Sequence, residues 1–246
     1  MLTGAFPSLH WNIWDYYMRP SGGYFGAKVG SRLEHVAYDY VRKVVHLINR
    51  SLDTSGNRTV EIQIIDTAGS TLYNGSVATT TTANTSKNIT SLSTALDGAE
   101  DLVFLRLVLR DDKSATLSRN VYWISRSLDA LDFAKSDWYY TPVSRYSDYT
   151  ALSKLGPANV TATAKRDGAV TTVTLENLSG VPAFFVSLSL VDGNGSDVLP
   201  LTWTDNYVTL WPKETLSLTA KVLSGAAEPS ALSIVGKNVV RSTVRL

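Results

Sequence analysis

The chain has 246 residues, a formal net charge of +1 and no cysteine. That length accommodates two domains of ordinary size. The charge balance excludes a nucleic-acid-type basic field or an acidic tail, and the missing thiols exclude a disulfide framework and thiolate metal sites. Apolar runs are strand-length, which excludes a transmembrane helix. The first residues lack the basic and apolar regions of a signal peptide.

Residues 3–28 read TGAFPSLHWNIWDYYMRPSGGYFGAK, with Phe6, Trp11, Trp14, Tyr16, Tyr17, Tyr24 and Phe25 among them. Such aromatic density is far above ordinary usage. The pattern predicts a short helix over residues 9–18, capped by Ser8 and stopped by Pro20. Its apolar residues go round the helix, as on one buried on several sides.

Residues 33–128 read as strands. Val60, Ile62 and Ile64 alternate on one face, and the turn residues from Asp66 to Ser70 close a hairpin. Val103, Leu105, Leu107 and Leu109 alternate likewise. The Thr- and Asn-rich run over residues 78–91 predicts an exposed strand and loop. Several short strands with polar turns in about a hundred residues predict an immunoglobulin-like sandwich. Residues 129–156 are too aromatic for a free linker and are expected to lie on a domain surface. Residues 157–246 alternate again, with Asp167-Gly168 as a hairpin signal, and predict a second sandwich.

Eight of the twelve asparagines stand in Asn-X-Ser/Thr sequons: Asn49, Asn57, Asn74, Asn84, Asn88, Asn159, Asn177 and Asn194. Chance at this Ser/Thr content gives roughly two or three. Two readings fit: turn chemistry in a Ser/Thr/Asn-rich β-protein, or an N-glycosylated extracellular protein whose leader lies outside this sequence.

Signals for chemistry are sparse. His10, His35 and His46 lack metal-ligand spacing, and no metal site is expected. No Gly-rich loop cradles a phosphate, so no cofactor is expected. Ser8 and Ser144 lack a nucleophile-elbow context. The acids Asp15, Glu34, Asp39, Glu61, Asp101, Asp111, Asp112 and Asp148 sit at strand ends or solvated faces, with nothing marking the close carboxyl pair of a retaining glycosidase. Flat aromatic faces in the first segment suit either a core or a sugar-stacking platform.

Three stretches, FPSLHWNIWDYYMRPSGGYFGAK, NVYWIS followed by LDFAKSDWYYTPVSRYSDYTAL, and DNYVTLWPKETLSL, resemble the C-terminal part of exo-β-D-glucosaminidases of glycoside hydrolase family 2. The third is shared with related β-mannosidases. The resemblance implies a mainly β chain with two immunoglobulin-like sandwiches, preceded by a short helical remnant of a (β/α)8 barrel. The implied division is a barrel edge over 1–32, a sandwich over 33–128, an aromatic connector over 129–156 and a second sandwich over 157–246. Both catalytic glutamates of the family lie on earlier barrel strands, so no catalytic residue is expected here. Thr3, Phe6 and Trp11 are the candidate substrate-binding residues. Where the family usually reads Asn-Asn-Ala-Trp-Pro-Ser, this chain reads Thr3-Gly4-Ala5-Phe6-Pro7-Ser8, which keeps an aromatic wall and loses amide hydrogen-bonding groups.

The implied function is that of the non-catalytic C-terminal portion of a secreted enzyme that releases terminal β-1,4-glucosamine from chitosan or its oligosaccharides. Its implied partners are the upstream barrel and N-terminal domains and a chitosan-type oligosaccharide, with no nucleic acid and no membrane. The alternatives are a stand-alone carbohydrate- or partner-binding sandwich and a piece of a β-mannosidase-like enzyme. The first reading also predicts a poorly soluble chain that removal of residues 1–30 would rescue.

Overall fold

A computed structural model describes residues 13–99 and 102–246. The described chain divides into two compact units, one of residues 32–155 and one that joins residues 13–31 to residues 156–246.

The unit of residues 32–155 is a β-sandwich. Its strands are β1 (Glu34–Asp39), β2 (Val44–Asn49), β3 (Gly56–Asp66), β4 (Thr71–Thr81), β5 (Thr85–Ser91), β6 (Val103–Arg110) and β7 (Thr116–Ile124). One antiparallel sheet has the order β4-β3-β6-β7 and the other β1-β2-β5. Period-two alternation puts Val60, Ile62, Ile64, Leu105, Leu107 and Leu109 into one cluster with Val36, Val45 and Leu47 of the facing sheet. Each of those nine is at most 2% exposed, so the alternation read from sequence is the core. A five-residue helix, Ser93–Asp97, sets Leu92 and Leu96 into the same cluster. Beyond β7 the chain forms a short ribbon of β8 (Ala130–Leu131) and β9 (Val143–Arg145), with two 3₁₀ turns.

The other unit is also a sandwich, of β10 (Val160–Asp167), β11 (Val170–Asn177), β12 (Ala183–Val191), β13 (Leu201–Trp203), β14 (Val208–Leu210), β15 (Thr215–Val222), β16 (Ala231–Gly236) and β17 (Val239–Arg245). Its sheets run β10-β11-β15-β13 and β14-β12-β16-β17. The Asp167-Gly168 hairpin forms, with Asp167 opposite Val170 and Gly168 at φ 56°.

The first segment departs from its sequence reading. Residues 13–18, the described part of the predicted helix, form a tight turn. Asp15 N–H donates to the Arg19 carbonyl at 3.0 Å, and Asp15 Oδ1 accepts Arg19 N–H at 2.8 Å. Met18 sits at φ 63°, a left-handed conformation that no right-handed helix tolerates. The helix comes after Pro20: Gly22–Gly30, with Ser21 as its N-cap accepting Tyr24 N–H. Four of its nine residues are glycine, against helix propensity. Packing decides instead. Phe25 is 2% exposed within the core cluster of residues 158–239. At Gly22 a Cβ would lie 2.7 Å from the tip of the Phe185 ring, so any larger residue would require that ring to shift. Residues 13–31 therefore belong to the second sandwich's unit. Removing residues 1–30 would therefore take Phe25 out of that unit's own core, which argues against the expected rescue.

Candidate functional site

Most carboxylates named from sequence hold structure. Asp39, Asp66 and Asp111 each accept backbone N–H groups two to four residues on, closing tight turns. Glu34 pairs with Arg58 and Glu61 with Arg110. Asp15 locks the Asp15–Arg19 turn. Asp112 is exposed, and Asp101 lies outside the described residues. His35 is buried with its Nδ1 3.1 Å from Ser118 Oγ. Among the described residues no group of three His, Cys, Asp or Glu is placed to hold a metal ion. No described helix is long and apolar enough to cross a membrane.

Three places could meet a ligand or partner. The first is an open polar cavity of about 530 Å³ on the residue 32–155 unit. Its lining includes Arg126, Asp148, Thr150 and Lys154. Asp148 accepts Thr150 N–H at 2.8 Å; that bond, the Thr150 hydroxyl and then Lys154 hold its carboxyl below the usual range.

The second is an aromatic ledge on the ribbon after β7. Trp138 is 91% exposed, and Phe133, Tyr139 and Tyr146 are each at least 70% exposed. The Trp138 and Tyr139 rings lie 4.7 Å apart at 53°, and Asp137 Oδ1 accepts both the Tyr139 and Tyr140 N–H groups, fixing the turn that presents them. So much aromatic surface in one short segment is unusual for a face that meets only water.

The third lies where the N-terminal segment meets the second sandwich. Arg19 pairs with Asp197 at 2.5 Å and stands over the Tyr17 ring, 5.4 Å from its centroid. A cavity of about 50 Å³ there is lined by Arg19, Asp197, Trp203 and Tyr207 among others. Burial, then Asp15 and Asp197 with Arg19 opposing, moves the Tyr207 hydroxyl upward. Thr3, Phe6 and Trp11, the candidate substrate-binding residues, lie outside the described residues.

The sequons separate into two kinds. Asn49 is 1% exposed; its Nδ2 donates to the carbonyls of Thr54 and Thr82, and its Oδ1 accepts Ser51 N–H. Asn177 is fully buried; its Nδ2 donates to the carbonyls of Val181 and Trp211, and its Oδ1 accepts Ser179 N–H. Each ends the second strand of its sandwich, and its i+2 serine is the sequon serine. These two are turn locks whose side-chain amides are already engaged within the fold. Sequence alone did not separate them; the signal was their place at the last position of an apolar strand. Asn57, Asn74, Asn84, Asn88, Asn159 and Asn194 are exposed.

The fold defines a pair of immunoglobulin-like domains of the kind found in glycoside hydrolases. Residues 43–127 match the Mannosidase Ig/CBM-like domain, and residues 138–239 match the Exo-beta-D-glucosaminidase Ig-fold domain. An exo-beta-D-glucosaminidase of Hypocrea virens is 48% identical over 254 residues, a match covering all of this chain and 28% of that protein. The exo-chitosanase CsxA of Amycolatopsis orientalis superposes with a TM-score of 0.92 at 35% identity, covering 100% of this chain and 30% of that one. A β-D-mannosidase of Dictyoglomus thermophilum shares the fold, with a TM-score of 0.68 at 20% identity over 97% of this chain and 26% of its own. Along its whole length the chain is thus similar to part of the exo-β-D-glucosaminidases, and its two sandwiches match immunoglobulin-like domains of such enzymes. It spans about 28% of the length of the two Hypocrea exo-beta-D-glucosaminidases that it matches.

Proposed function

We propose that this chain serves a secreted exo-β-D-glucosaminidase that removes terminal β-1,4-linked glucosamine from chitosan or its oligosaccharides. The observation that carries the reading is the 48% identity to an exo-beta-D-glucosaminidase along the whole chain. In this reading the catalytic carboxyl pair, spaced about 5 Å apart for a retaining reaction, is supplied by an upstream barrel. The two sandwiches brace that barrel. Thr3, Phe6 and Trp11 are the substrate-binding candidates of this reading, by the resemblance to the family. The aromatic ledge of Phe133, Trp138, Tyr139 and Tyr146 is covered by the upstream part of the same polypeptide, which removes it from water. The density of exposed sequons supports an extracellular enzyme.

A chimaera tests this. The matching C-terminal part of the Hypocrea virens enzyme is replaced by this chain and assayed on p-nitrophenyl β-D-glucosaminide and on the mannoside. Glucosaminide hydrolysis by the chimaera, and none by this chain alone, is the expected result. An inactive chimaera that is folded by circular dichroism overturns the reading, as does activity on the mannoside alone. The exposed ledge gives a second reading some weight, a stand-alone sugar-binding sandwich. That reading requires saturable binding of chitosan oligomers by this chain, lost in W138A.

A further inference from the structure

We propose that Asn57, Asn74, Asn84 and Asn88 carry N-glycans, and that these glycans shield the two unpaired edge strands on one side of the first sandwich from pairing with another sheet. The inference rests on the extracellular reading above.

The topology brings the four sites together. β4 is an edge of one sheet and β5 an edge of the other. They are consecutive in the chain, and Lys87 Nζ on β5 donates to Thr79 Oγ1 on β4 at 2.8 Å, so the two edges lie side by side. Asn74 stands on β4 and Asn88 on β5, and Asn84 lies in the short link between them. Asn57, at the start of β3, is the register partner of Thr80 on β4. On β4 the residues opposite the core positions Val60, Ile62 and Ile64 are Val77, Gly75 and Tyr73. Asn74 therefore points away from the core, and so does Asn57, which alternates with the inward Arg58 and Val60.

These edges need a guard. An exposed strand is a template for pairing with another chain, and proteins blunt such edges with charge, proline or a very short strand. β4 reads TLYNGSVATTT over eleven residues: no charge, no proline, and rich in β-branched residues. β5 reads TSKNITS, with one lysine. The usual devices are scarce here, whereas sequons are dense.

The fold does not account for these asparagines in the way it accounts for Asn49 and Asn177. The side chains of Asn57 and Asn88 have no hydrogen-bond partner among the described residues, and Asn74 only accepts from the exposed Gln63 amide. Asn84 has φ 51°, which asparagine tolerates, yet its side chain too is exposed. Transfer joins the anomeric carbon of an oligosaccharide to Asn Nδ2. The bond to its polyisoprenyl diphosphate carrier breaks, and the amide loses one proton. At Asn49 and Asn177 that would consume a buried N–H and push a sugar into a closed turn, so a chain modified there would not reach this fold. At the four edge sites the glycan projects into solvent.

The experiment expresses the whole chain behind an added signal peptide in yeast. Each site's occupancy is read by mass spectrometry after glycan release in ¹⁸O water. Modification of the four edge sites in most of the secreted chains, with Asn49 and Asn177 empty, is expected. The association state is then compared between the parent, the quadruple N57Q/N74Q/N84Q/N88Q variant and the N159Q/N194Q control, by light scattering and thioflavin fluorescence. The quadruple variant should show at least a several-fold rise in β-type oligomers, and the control should match the parent. Empty edge sites, filled Asn49 or Asn177, or a quadruple variant as monomeric as the parent overturns the proposal. Failure of the extracellular reading looks different: the native protein is found unmodified inside its cells while the edge sites still fill in yeast.

Discussion

Arg58 grips Glu34 with two parallel hydrogen bonds, Nε to Oε2 at 2.6 Å and Nη2 to Oε1 at 2.7 Å, joining β3 of one sheet to β1 of the other. Both side chains are nearly buried, at 8% and 11% exposure. The carboxylate bond is the main reason the guanidinium is held still more firmly in its charged form. Such a pair costs desolvation on both sides, so its geometry matters more than its charge. R58A leaves Glu34 buried without its partner and should destabilise the chain by about 3–5 kcal/mol in urea unfolding. The double variant R58M/E34L removes both charges and should recover most of that loss. If R58A alone is neutral, the two sheets are not clamped here.

His35 sets a pH limit. Burial first, then the nearby Arg32 and Arg50, push its pKa down from 6.5 to about 4. The folded chain thus holds the neutral ring, whereas the unfolded chain takes up a proton at its ordinary value. Stability from this site is complete above pH 6.5 and is lost progressively as pH falls toward about 4. The expected loss is about 3 kcal/mol. Asp39, Asp53 and Asp148 are shifted below 3.8 by hydrogen bonds, so their contribution is lost only at lower pH. Unfolding free energies from pH 7.5 to pH 4 should fall along this curve and flatten in H35Q. An equally steep fall in H35Q assigns the dependence to another group.

The two turn locks make a paired prediction. N49A or N177A should each cost about 2–3 kcal/mol, because the backbone carbonyls and the N–H held by the amide lose their partner. N194A, at an exposed sequon in the turn after β12, should stay within about 0.5 kcal/mol. The measurement uses protein made in bacteria, so that only the side chain differs between variants. Equal effects at all three positions would remove the distinction between turn locks and surface sequons.

The sandwiches were legible because alternation is a direct consequence of strand geometry. Val60, Ile62 and Ile64, or Val103 through Leu109, could face one core only one way. Asp167-Gly168 was legible for a similar reason, since its left-handed turn admits few residue pairs. The N-terminal helix was not. A helix of four glycines in nine residues is held by the burial of Phe25 in a core cluster whose other members all belong to the distant stretch from Ala158 to Val239. Phe104 and Val108 read as the solvent side of β6 yet are buried, because alternation cannot report what covers a sheet's second face. Asn-X-Ser spells both a turn lock and a glycan acceptor, and only burial separates them. The candidate sugar residues came from family likeness, and the aromatic ledge was legible as composition though not as exposure.

Phe25 tests whether the N-terminal segment is part of the second sandwich or merely lies near it. Its ring is edge-on to Tyr24 at 4.9 Å and lies 6.0 Å from Tyr207, inside the cluster that includes Leu188, Leu201 and Trp203. Lys28 Nζ adds a hydrogen bond to the Trp203 carbonyl at 2.5 Å, and Arg19 reaches Asp197. The apolar contact outweighs these half-exposed polar ones, because exposed ion pairs contribute little. F25A should therefore cost about 3–5 kcal/mol, whereas R19A should cost under about 1 kcal/mol. Deleting residues 1–31 removes Phe25 and Val29 together and leaves the cluster open to water. The truncated chain should bind a hydrophobic dye and aggregate on warming, more than the parent does. A truncated chain that unfolds cooperatively at the parent's midpoint would mean that the sandwich of residues 156–246 closes without the segment.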